Sequence, residues 1–151
     1  MGKIFTNDGV LIAKVMRDHL NSWSKKPAEI KLEDLGKKAP SMMLQQLSSA
    51  EKVKSYVNGS YIGVWRFAVW IRVEAEDTAS RLDAIAVLTE LAEWLGETDE
   101  SGDFKNLPVI DERRIATGFS MPATPSIAAR YDDGTEEYQA IMSLEYKSRR
   151  I

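Results

Sequence analysis

The chain has no cysteine among its 151 residues. It can therefore form neither a disulfide nor a thiolate metal site, and it offers no cysteine nucleophile. Folding needs no oxidising compartment, and a reducing cytoplasm is the simplest expectation. Only one histidine is present, His19. Without a second imidazole or any thiol there is no good transition-metal set, and a histidine between Asp18 and Leu20 reads as an ordinary helix residue before it reads as a base. Neither common type of Gly-rich phosphate loop occurs, and no serine arrangement supports nucleophilic catalysis. No long uncharged apolar run could cross a bilayer. The apolar run at 10–13 is too short, and too close to Lys14 and Arg17, to serve as a secretory signal. The opening MGKIFT fits a myristoylation pattern, but so short a match is read as chance. A positive field is missing as well: the net charge is -3, whereas surfaces that grip duplex DNA are clearly basic.

What is present is ordinary globular material. With 44% hydrophobic and 28% charged residues, the chain suits one domain spanning 1–151, large enough to bury a real core. Charge is divided along it. Residues 1–75 hold twelve Lys/Arg against seven Asp/Glu, and residues 76–151 hold eight against sixteen. Such segregation is compatible with head-to-tail self-association, unless the halves interleave in space and cancel.

A first helix is expected from a cap at Asn7 or Asp8 to about Ser22, with Leu11, Val15, Met16, Leu20 and Trp23 near helical spacing. Residues 24–40 read as a loop with a single turn near 32–35. Strands are expected at 41–47, 52–57, 61–75, 113–121, 126–131 and 138–147, with turns at Asn58-Gly59 and Asp132-Asp133-Gly134. Asn58-Gly59-Ser60 is formally a glycosylation sequon, but the turn explains it. Asp77 caps a second helix whose apolar positions Leu82, Ile85, Leu88 or Thr89, Ala92 and Leu95 recur every three to four residues, ending at Gly96. Trp94 and Val87 lie off that stripe and imply a second contact. The acidic stretch 97–107 reads as a loop. The fold class is α+β: an antiparallel or mixed sheet packed on one face by helices.

The segment VWRFAVWIRVE, 64–74, alternates almost without fault. Trp65, Phe67, Val69, Ile71 and Val73 form a core face. The other face carries Arg66, Trp70, Arg72 and Glu74. The plain reading is that a helix covers it, since single aromatics mean little. Tryptophan and arginine are nevertheless enriched at binding hot spots, so these four residues are the candidate subunit-interface set. A competing chemical pattern is Asp133 with Glu145 and Lys147, which could hold Mg²⁺ as some nucleases do. A solvated cross-strand ion pair explains it as well, and no catalytic, cofactor or metal residues are assigned.

Four stretches taken together, LQQLSSAEKVKSYVNGSYIG (44–63), FAVWIRV (67–73), DTASRLDAIAVLTELAEWL (77–95) and PSIAARYDDGTEEYQAIMSLEYK (125–147), resemble the minor capsid or tail terminator family of long-tailed bacteriophages and prophages. The resemblance implies a non-enzymatic virion protein with a fold similar to lambda-like tail terminators. Such proteins close into a ring, usually a hexamer, at the head-proximal end of the tail after assembly in the host cytoplasm. Implied partners are further copies of itself, the tail tube protein and the head-tail connector, with no cofactor, membrane or specific nucleic acid. A head-completion or neck protein is the nearest alternative. In such a ring Arg66, Trp70 and Arg72 would face a neighbouring subunit, with Glu74 or the neighbour's acidic half as counter-charge. The loops 24–40 and 97–107 are expected to order on assembly, and acidic residues lining the channel would repel passing DNA.

Overall fold

The computed structural model describes residues 2–150. Along the first half run β1 (Ile4–Thr6), α1 (Asp8–Asn21), β2 (Ile30–Leu32), β3 (Ser41–Gln46), β4 (Ala50–Ser55) and β5 (Tyr61–Glu74). The second half adds α2 (Thr78–Leu95), β6 (Arg114–Ser120), β7 (Ser126–Arg130) and β8 (Thr135–Ser148).

β5 and β8, 14 residues each, pair antiparallel over their whole length, from Tyr61 opposite Ser148 to Glu74 opposite Thr135. Each long strand has one free side, and two short strands share it end to end. β4 and then β3 line β5, while β6 and then β7 line β8. β1 pairs antiparallel outside β4, and β2 pairs parallel outside β3, which makes the eight-stranded sheet mixed. The Asn58-Gly59 turn joins β4 to β5, with Gly59 at φ +91°, a conformation open to glycine at little cost.

The alternation in β5 is realised: Trp65, Phe67 and Val69 are fully buried on one face. Each contributes roughly 1.5 to 3 kcal/mol of burial before entropy is counted. α2 lies over β5 and β8, and α1 over β2 and β3, on that same face. Asp77 caps α2 as expected, its carboxylate accepting from the Ser80 amide at 2.9 Å. The buried stripe of α2 is Ala84, Leu88, Leu91, Ala92 and Leu95, which leaves Leu82 exposed rather than in the core. In α1 the stripe is likewise offset, running through Ile12, Ala13, Met16 and Leu20 with Leu11 at the surface. Spacing identifies both helices, but the facing strands choose which neighbouring stripe is buried.

Three local expectations change. Residues 30–32 form a strand inside the expected loop, held because Asn21 at the end of α1 bonds both the amide and the carbonyl of Ile30. β1 is short and exposed, with no period long enough to announce it. The stretch 97–107 closes on itself, with Thr98 bridged to Phe104, Gly102 at φ +84°, and the Asp99 carboxylate accepting from the amides of Ser101 and Asp103. These contacts are all internal to the loop. Trp94 supplies the expected second contact: it stacks on His19 at 5.0 Å and beside Trp23, tying the helices together. His19 also bonds the carbonyl of Asn106, so its role is structural.

A buried polar knot fixes the start of α1. The Asp8 carboxylate accepts from the hydroxyls of Tyr61 and Tyr146 and from Arg114, which also pairs with Asp111 at 2.6 Å. Tyr146 reaches Asp8 by lying across Gly63, where a Cβ would sit 2.4 Å from the ring. Burial pushes the Asp8 carboxyl up, but bonds from Tyr61, Tyr146 and Arg114 outweigh it and hold it below its ordinary value of 3.8. Burial, reinforced by Asp8, pushes both tyrosine hydroxyls up. Because the folded pKa of Asp8 is lowered, its stabilisation is fully present above the unfolded value and is lost as pH falls through the folded one. Asp8→Asn should cost about 3 kcal/mol at pH 7. In paired urea melts across pH, that gap should shrink below pH 3.8; a gap that stays constant would show that the knot does not depend on the carboxylate's charge.

Candidate assembly surface

With both helices on one side, the other side of the sheet has no layer of its own over it. Strand alternation and register decide what it shows. A row runs across it from Lys31 through Met43 and Trp70 to Gln139. The next rows place Arg72 beside Glu137, and Ala68 between Gln45 and Ile141. Ile141 is 43% exposed.

Trp70 is half-buried, and its indole N–H donates to Gln45 at 2.9 Å. With that polar demand met, the rest of the ring is an apolar plate in the middle of the face. Arg66 pairs with Glu51 at 2.9 Å. Arg72 pairs with Glu137 at 3.1 Å, donates to the carbonyl of Gly36 and lies over the Tyr131 ring at 5.8 Å. Tyr131 also donates to Glu137. The counter-charges of the two arginines thus come from their own chain and not from Glu74, which is exposed and joins neither pair. Arg66, Trp70, Arg72 and Glu74 do share one face, as alternation requires.

The Arg72 bond to Gly36 draws the loop 33–40 against the end of this face, where Lys37 and Lys38 are exposed, near Lys31 on β2. None of these lysines enters an ion pair among the described residues. Lys31, Lys37 and Lys38 line a cleft with Glu29 at the sheet edge beyond Met43, and Glu33, Asp34 and Glu74 nearby likewise join no ion pair among the described residues. Met43, Gln45 and Ile141 complete the surroundings of Trp70. The alternation of β3 and β8 carried their facing, but only the register could bring them to Trp70.

On the helical side Glu136, the neighbour of Glu137, meets Arg81 at 3.1 Å, Arg130 at 3.2 Å and the Tyr138 hydroxyl at 2.8 Å. Burial raises its carboxyl, and bonds from Tyr138 and Arg81 outweigh that and hold it low. The two adjacent glutamates at the start of β8 therefore clamp opposite faces of the sheet, one to α2 and one to β5.

The metal pattern is not assembled. Asp133 bonds Thr135 within the turn, whereas Glu145 lies near the far end of β8, bonded to Thr117. At about 3.3 Å per residue they are roughly 30 Å apart. Among the described residues no group of three acidic or imidazole side chains could hold a metal ion.

No protein-family model and no curated protein matches the chain. A chain of the virion of a native gene transfer agent (GTA) particle has a similar structure, with a TM-score of 0.56 and 10% sequence identity over 91% of this chain and 98% of that one. At that identity the likeness is one of fold.

Adding millimolar Mg²⁺ or Mn²⁺ should leave the thermal midpoint unchanged and should produce no cleavage of DNA. Metal-dependent cleavage that disappears in Glu145→Gln would reinstate the nuclease reading.

Proposed function

We propose that this chain is a structural protein of a phage-like virion, acting as a tail terminator. Copies close into a ring, usually of six, that caps the tail tube at its head-proximal end and presents a surface to the head-tail connector. The observation that carries the reading is the bare sheet face, where Trp70 offers an apolar plate beside exposed Ile141. An antiparallel sheet can leave a polar face to water, but an indole and an exposed isoleucine in the middle of this one favour a cover supplied by another molecule. The fold likeness to a virion chain, which spans nearly the whole of both chains, supports the same class. So does the sequence resemblance carried by residues 44–63, 67–73, 77–95 and 125–147.

The subunit-interface assignment follows with a change of roles. Trp70 supplies contact area. Arg66 and Arg72, already paired at 2.9 and 3.1 Å, hold that part of the face rigid, so little side-chain entropy remains to be lost on docking. Glu74 lies at the margin.

Trp70→Ala should weaken self-association and tail-tube capping at least about tenfold while lowering monomer stability by only about 1 to 2 kcal/mol, for the lost Gln45 bond and the partial burial of the ring. Light scattering and a thermal melt of the same sample check both numbers. A monomer destabilised by several kcal/mol would make Trp70 part of its own core and remove the proposed contact.

A further inference from the structure

The outer face of α2 is the second unpartnered surface. Ala79, Leu82, Asp83, Ala86, Glu90 and Glu93 recur at helical spacing and are all exposed, Leu82 at 59%. The first turns of this stripe are mainly apolar and the later ones acidic. The charge on the helix is one-sided: its three acids, Asp83, Glu90 and Glu93, are exposed and enter no ion pair among the described residues, while its one cation, Arg81, pairs with Glu136.

We infer that the outer face of α2 of one copy seats on the open sheet face of the next. This rests on the ring reading above and names its two contacting surfaces. Leu82 and Ala86 match the apolar ground formed by Trp70 and Ile141, and Asp83, Glu90 and Glu93 match the unpaired lysines at 31, 37 and 38. The helices and the bare face lie on opposite sides of one two-layer slab. Helix-to-face contact therefore repeats head to tail, which closes a ring when the rotation allows it. Each bare sheet face would then be covered by a helix, the same layer order found inside the monomer.

The occupant is a second copy because both complementary surfaces lie on this one chain. Strand addition at the sheet edges is the competing route, and the edges discourage it. β6 and β7 each carry a register break, Pro122 and Pro125 precede β7, and β1 and β2 are three residues long. The faces are left to make the contact.

The test is a charge swap in the full chain. Glu90→Lys/Glu93→Lys and Lys37→Glu/Lys38→Glu touch exposed side chains, and each should keep the wild-type melt. Each alone should weaken association at least about tenfold at low salt, because like charges would meet across the contact. Mixed in equal amounts, the two variants should assemble again, since each restores the other's complement. Wild-type assembly should weaken as salt rises. Should one reversal fail to fold, Glu90→Gln/Glu93→Gln and Lys37→Gln/Lys38→Gln give the same reading through loss of association. If either folded reversal assembles like wild type, or the mixture stays unassembled, the assignment of α2 is overturned while the ring stands. If wild type sediments as a monomer at every concentration and salt, and also on added tail tubes, the ring reading fails with it.

Discussion

The full-length pairing of β5 with β8 is the constraint on which the rest of the molecule depends. Two antiparallel strands of 14 residues have more edge than any one neighbour here fills. Short strands therefore share each side, and the sheet becomes broad while its two faces keep unlike characters. One face takes both helices and the aromatic core around Trp65 and Phe67. A 151-residue chain has spent its helices there. Among the described residues the opposite face is met by ion pairs, a half-buried indole, the rim of the 33–40 loop and, beside Gly118, the Phe104 ring.

Buried polar groups hold this arrangement in register at both ends. At one end Asp8 gathers Tyr61, Tyr146 and Arg114, so that the first helix, both long strands and β6 meet on one carboxylate. At the other end Glu136 and Glu137 reach to opposite faces, one to α2 and the other to β5. Each carboxylate is matched by cations or hydroxyls, as burial of charge requires. A one-residue slip of β8 against β5 would exchange the two glutamates and send Tyr146 away from Asp8. The residues that carry the family resemblance thus have structural work: Arg81 of DTASRLDA meets Glu136 of DDGTEEYQAI, which joins the helix start to the hairpin.

Much of the fold was legible because long periodic segments announce themselves. The alternation of 64–74, the Asn58-Gly59 and Asp133-Gly134 turns, and the Asp77 cap each have a local physical cause, and all appear where expected. Elements defined by distant partners were not legible. Ile30–Leu32 becomes a strand through Asn21 and β3, and the stripe buried in α2 is chosen by the strands beneath it, which is why Leu82 is outside. The candidate surface was half readable. Alternation put Arg66, Trp70, Arg72 and Glu74 on one face, but nothing near them in sequence shows that Glu51 and Glu137 neutralise the arginines. The charge asymmetry was visible from the start. Its meaning depended on α2 lying on one side of the sheet and the bare face on the other.

The account comes down to whether the bare face is bare only in the isolated chain. Hydroxyl-radical footprinting of the free chain and of the assembled particle measures this directly, because indole and leucine side chains report their own exposure. The account predicts that Trp70 and Leu82 are both oxidised in the free chain and both protected on assembly, while Val57 at the β4–β5 turn stays reactive. Trp70 oxidised equally in both states would contradict it.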